Sequence, residues 1–216
     1  MKVDELILYS QSVEKQKLFY RDVLEMEIIR DSKESVSFKA GRSIISFEYR
    51  KDAKPIHYAL NIPSYQDTEA LEWLQKRVEV IPYQDQPIVD FRNWNAKALY
   101  FYDADRNIVE FIARKNLDIR SASPFAADKL LCVSEIGIAT SNIKDVYDRL
   151  NSLRELPVFD GNFDRFCAAG DEEGLFILVD VKKKKWFPAD DDVYLTDFRV
   201  KGDFNFEFKN GEIKEL

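Results

Sequence analysis

The chain has 216 residues, 45% of them hydrophobic, with 16 Phe, 10 Tyr and a net charge of −7. That length fits one domain or two small ones with a packed core, and interspersed charges of both signs argue against nucleic acid as the partner. No apolar stretch approaches the ~20 residues of a membrane span. The opening "MKVDELILYSQS" is broken by charges and reads as a strand rather than a signal peptide. Cys132 and Cys167 make neither a CxxC pair nor a disulfide framework, so reduced thiols and a cytoplasmic location are expected.

"VDELILYS" alternates as a strand does, and "SVEKQKLFYRDVL" follows as an amphipathic helix with Ser12 at its N-cap. "EMEIIRD", "SVSFKA" and "IISFEYR" are three further strands. The order repeats from residue 55: strand "PIHYALNIP", helix "QDTEALEWLQKR", strand "VEVIP", a loop over 82–95, then "AKALYFYD" and "NIVEFIAR" joined by the turn "ADR". Residues 116–130 read as a linker. A third round follows: "CVSEIGIAT", helix "SNIKDVYDRLNSL", then "LPVFDG", "RFCAAG" and "LFILVDV". The tail, "DDVYLTDFRV" and "FNFEFKNGEIKEL", is a reduced fourth unit of strands with an Asn-Gly hairpin turn. The lysine run 182–185 and the acidic run 190–192 flank "WFPA" and read as two solvated loop faces.

The repeats superpose residue by residue. Over their first strands Glu5, His57 and Glu135 share one position; over their last strands Ser46, Glu110 and Ile177 share another. Strand side chains alternate, so each set points to one sheet face. If the first two units join pseudo-symmetrically, Glu5, His57, Ser46 and Glu110 converge. The third unit has an isoleucine opposite Glu135 and lacks that constellation, which leaves Glu135 a structural or solvent-facing role. Plainer readings stand beside these: His57 as a hydrogen-bonded structural residue, Glu110 paired with Lys97 on the neighbouring strand, and Glu5 partly exposed.

The segments "LFYRDVLEMEI" and "DADRNIVEF", with a weaker echo in "DEEGLFIL", resemble the helix end and the terminal hairpin of the vicinal oxygen chelate superfamily, which includes glyoxalases, bleomycin-resistance proteins and extradiol dioxygenases. Glu25 stands where that pattern has glycine, and Ala104 and Arg106 where it has Pro and Gly; these are turn positions. The resemblance implies an α+β fold of repeated βαβββ units curled into a cup. It implies a paired unit over 1–115 with the metal site, a linker over 116–130 and a degenerate second domain over 131–216. Carried over, the metal ligands are Glu5, His57 and Glu110, with Ser46 in the fourth place; Ser46, Lys97, Tyr9 and Trp94 are the candidate substrate-binding residues, and Phe163 and Phe166 further candidates for a cavity wall. Oxygen-rich ligation suits Mn, Fe, Ni or Zn. The implied function is a metal-dependent lyase, isomerase or ring-cleaving dioxygenase acting on a small oxygenated molecule through bidentate chelation. The alternative is a metal-free protein that sequesters a small ligand, as bleomycin-resistance proteins do. Small-molecule binding by a monomer or homodimer, with no nucleic acid or membrane partner, completes the expectation.

Overall fold

The structure is a computed structural model and describes residues 1–216. The first unit is β1 (Val3–Ser10), α1 (Val13–Leu18) with a wider turn over Phe19–Val23, β2 (Ile28–Asp31), β3 (Ser35–Ala40) and β4 (Ser43–Tyr49). Ser12 caps α1, accepting from the Lys15 backbone N–H. The second unit is β5 (His57–Ile62), α2 (Asp67–Gln75), β6 (Val80–Ile81), β7 (Val89–Phe91), β8 (Ala96–Tyr102) and β9 (Ile108–Arg114). The third is β10 (Cys132–Thr140), α3 (Ile143–Leu153), β11 (Val158–Asn162), β12 (Phe166–Asp171) and β13 (Gly174–Asp180). The helixless fourth is β14 (Phe198–Gly202), β15 (Phe206–Lys209) and β16 (Glu212–Glu215). Asn210 and Gly211 turn its hairpin with φ of +53° and +83°, the left-handed pair that a two-residue hairpin demands.

The units do not pair as the repeat order implies. One sheet runs β16-β15-β14-β1-β4-β3-β2 and joins the first unit to the fourth; the other runs β11-β12-β13-β10-β5-β9-β8-β6, with β7 beside β8, and joins the second unit to the third. The expected cup over 1–115 is therefore corrected. The edge of β1 is taken by β14, with Glu5 opposite Lys201, and the edge of β5 by β10, with Ala59 opposite Glu135. Each unit presents its first strand as a free edge, and an edge left with unpaired N–H and C=O groups must find a partner. The edge of β1 is covered by β14, whose "FRVKG" is itself part-exposed, whereas β5 and β10 are buried along their whole lengths and cover each other.

The two sheets turn one face each toward a shared core. Tyr20, beyond α1, packs on Phe38 and Phe47 of the first sheet and meets Tyr58 of the second. Trp73 of α2 and Phe111 of β9 enclose Phe125, so the expected linker is tied into this core. Phe176 of β13 packs edge-on against Phe204 and Phe206. Large aromatic side chains thus weld the four units together, and each sheet keeps its opposite, concave face for other uses.

Candidate metal centre

Alternation decides what each concave face receives. Along β1 and β10 the register slips between Val3 and Glu5 and between Val133 and Glu135. After these bulges Leu6 and Leu8, like Ile136 and Ile138, enter the shared core, and Glu5 and Glu135 go to the concave sides. On the second sheet His57 of β5, Glu110 of β9 and Glu135 of β10 come together. One ligand atom from each lies within 4.8 Å of the others, and all three residues are buried. His57 Nε2 is 3.4 Å from Glu110 Oε2 and 3.9 Å from Glu135 Oε2, while Nδ1 lies 3.2 Å from the Ile108 carbonyl. With Nδ1–H donating to that carbonyl, Nε2 is turned toward the carboxylates.

Arg114, four residues beyond Glu110 and wholly buried, donates from Nη2 to Glu135 Oε1; its Nε is 3.3 Å from Asn61 Oδ1. Burial lowers the His57 pKa, but hydrogen bonds and charge from Glu110 and Glu135 outweigh it and hold the imidazole at about 9. Burial, then the Glu135 charge, raises Glu110, with His57 and Arg114 pulling the other way. Burial, then the charges of Glu110 and Glu135, keeps the Tyr100 phenol protonated far above its usual range.

One imidazole nitrogen and two carboxylates match the donor chemistry of a divalent ion, and their spacing suits bonds of about 2.1 Å after small side-chain adjustments. The second oxygen of Glu135 is held by Arg114, as ligating carboxylates commonly are. The residues present therefore fit such an ion.

Above the cluster lies a cavity of about 520 Å³ with an aromatic wall that includes Phe91, Trp94, Tyr100, Phe166, Trp186 and Phe187. Its cover is the segment that follows β13. Trp186 packs 5.4 Å from the His57 ring and against Gly137, where a Cβ would meet its ring at 2.7 Å. Phe187 seats against Tyr83, Phe91 and Tyr100, and Tyr102 donates to Asp191 at 2.7 Å. The lysine run is not uniformly solvated: Lys184 lines the cavity.

Of the residues singled out from the sequence, His57, Glu110 and Trp94 belong to this site, and so does Phe166. Glu5 does not. It sits on the first sheet, bound by Arg30, by Lys201 at 2.9 Å and by Ser46 Oγ at 2.7 Å. Ser46 goes with Glu5, also linked to Ser37 at 2.8 Å, and Tyr9 lies on the same sheet under the Arg50 guanidinium at 3.3 Å. Lys97 points away from Glu110: it alternates with Ala96 and Ala98 on β8 and pairs with Asp67 of α2 at 2.9 Å. Phe163 stacks on Tyr147 of α3. Glu135 is the ligand-type residue the sequence reading set aside, although it shares a repeat position with His57. Arg114 carried one weak signal, its place on the same strand face as Glu110; Lys184 and Trp186 carried none.

No protein-family model matches the sequence, and no curated protein matches it. Solved structures do match in shape. A "putative dioxygenase from Bacillus subtilis subsp. subtilis str. 168" aligns at 13% identity and TM-score 0.61 over 83% of this chain, which spans 63% of that one. Lactoylglutathione lyase from Agrobacterium tumefaciens aligns at 18% identity and TM-score 0.45, over 55% of this chain and 97% of its own. A variant of the fosfomycin resistance protein FosX from Listeria monocytogenes, complexed with Mn(II) and a dihydroxypropylphosphonic acid, aligns at 20% identity and TM-score 0.41, over 53% and 90%. No helix of the chain is long and apolar enough to cross a membrane. With its repeated βαβββ units, its two mixed sheets and its match to the Bacillus protein over most of its length, this chain shares the fold of that putative dioxygenase.

Proposed function

We propose that the second sheet carries a metal-dependent active site for a small oxygenated molecule, with His57, Glu110 and Glu135 as ligands, and that its reaction is a lyase, isomerase or ring-cleaving dioxygenase step. The observation that carries this reading is the meeting of these three side chains, from three strands of two units, at the base of an aromatic cavity. A divalent ion there supplies Lewis-acid polarisation of two neighbouring substrate oxygens. The chain's own residues do the rest. The Ile108 carbonyl fixes the His57 ring and Arg114 orients Glu135. Tyr100 retains its proton beside the cluster, and Trp186 and Phe187 supply an apolar wall against His57 and Tyr100. Fold alone names no substrate.

One observation favours a second reading, metal-free ligand binding: His57, when protonated, and Arg114 already balance the two carboxylates. Metal analysis of the purified protein decides between the two. The enzyme reading expects near-stoichiometric Mn, Fe, Ni or Zn, lost in His57→Ala and Glu110→Gln. It also expects a rise in Tm of roughly 5–10 °C on restoring the ion at about 100 times its Kd. Metal-free protein whose Tm ignores all four ions sinks it.

A further inference from the structure

The aromatic wall of the cavity receives one cation, Lys184, that pairs with no carboxylate. Apart from the cluster at its base, the cavity is lined by four charged side chains: Asp90, Arg92, Asp160 and Lys184. Arg92 pairs with Asp90 at 3.3 Å, and Asp160 accepts from Trp94 Nε1 at 2.6 Å. Lys185 has Asp192 and Lys183 has Asp164, but Lys184 Nζ meets no carboxylate and makes no hydrogen bond; it lies 3.9 Å above the Phe166 ring. Burial, helped by the charge of Arg165, brings its pKa down to about 8, which marks a cation short of partners. One residue of the cavity wall carries a second unmet donor: Trp186 Nε1 is buried without a hydrogen-bond partner. Unpaired buried donors are costly, and an incoming acceptor offsets that cost. Both deficits ask for the same chemistry, oxygen atoms carrying negative charge, while the wall asks for a flat apolar body.

We propose that Lys184, carried over the cup by the segment after β13, is the specificity-determining residue of this site and selects a molecule with an aromatic or similarly flat body bearing a carboxylate. The assignment deepens the function proposed above by naming its substrate class, and it rests on that reading only for the reaction. Anion selection by Lys184 operates whether or not an ion sits on His57, Glu110 and Glu135. A ring with a short acid chain fits a cavity of about 520 Å³.

The test follows quenching of tryptophan fluorescence, since Trp94 and Trp186 both line the cavity. The full chain is titrated with phenylacetate and with phenylacetamide, its neutral counterpart, in Mn²⁺-loaded and EDTA-treated samples. The acid is expected to bind saturably and about 10-fold or more tighter than the amide in both samples. Lys184→Met and Lys184→Gln abolish that preference, and Lys184→Arg retains it to within about 3-fold. The group is half-buried on a connecting segment, and thermal melts confirm that the variants are folded. Equal binding of acid and amide, no saturable binding of the acid, or an unchanged preference in folded Lys184→Met overturns the proposal. Failure of the metal reading looks different: Mn²⁺ then does not bind at all, and the acid-over-amide preference persists without it.

Discussion

The two concave faces began from the same repeat and have solved the same electrostatic problem in different ways. On the first sheet the buried carboxylate of Glu5 meets cations supplied by the chain, Arg30 and Lys201, with Ser46 completing its shell. These partners are half-exposed, and together they pull the Glu5 carboxyl below its usual range against the opposing effect of burial. On the second sheet two carboxylates share one internal guanidinium and one imidazole, all buried. The strand register makes the contrast concrete: Lys201 faces Glu5 across the sheet where Ala59 faces Glu135. With Lys201 and Arg30 beside it and Ser46 where the second sheet has Glu110, Glu5 closes into a salt-bridge network, whereas on the second sheet His57, Glu110 and Glu135 stand together as ligand-type groups.

The largest effect that separates the faces concerns metal. Glu110→Gln and Glu135→Gln are expected to weaken Mn²⁺ or Zn²⁺ binding by on the order of 100-fold or more, and Glu5→Gln to leave it unchanged. Calorimetric titration reads this directly, and equal loss in all three would erase the distinction. Next comes stability. Arg114→Met strands a buried carboxylate and should cost about 3–5 kcal/mol in urea unfolding. Arg30→Met removes a half-exposed partner and should cost about 0–1 kcal/mol. A smaller signature is pH. The His57 pKa is raised to about 9 from 6.5, so the stability it contributes to metal-free protein is complete below pH 6.5 and fades as the pH climbs through 9. The Tm of EDTA-treated protein should fall over that range more than that of His57→Ala, and a bound ion, which excludes the proton, should flatten the fall. Last, Gly137→Ala places a methyl 2.7 Å from the Trp186 ring and 2.8 Å from the His57 carbonyl oxygen, a strain of about 1–3 kcal/mol. Denaturant melts should show it together with altered tryptophan fluorescence.

Local features were legible in the sequence because they depend on neighbours along the chain. The strand–helix–strand rhythm, the Ser12 cap, the Asn210–Gly211 turn and the common place of His57 and Glu135 within their units all follow from spacing alone. Which unit pairs with which was not legible. Period-two alternation specifies the face a side chain takes, and says nothing about the strand that docks on a free edge. Pairing β5 with β10 instead of β1 removed Glu5 from the ligand set and brought in Glu135. Lys97 misled for a related reason: strand neighbours share a face only when their registers agree in parity, and Lys97 is opposite Ala113 while Tyr100 is opposite Glu110. Lys184 and Trp186 lie in an irregular stretch, where no periodicity announces direction.

That irregular stretch has a mechanical meaning. Having roofed the cavity, the chain runs on through Thr196, which donates to the Pro55 carbonyl at 3.1 Å, and Asp197, gripped by Arg50 at 2.6 Å, before entering β14. The roof of one bowl is therefore moored to the wall of the other. The segment that walls the cavity of one sheet is thus held at its far end by residues flanking the other, so a change at Arg50 or Asp197 bears on both halves of the molecule.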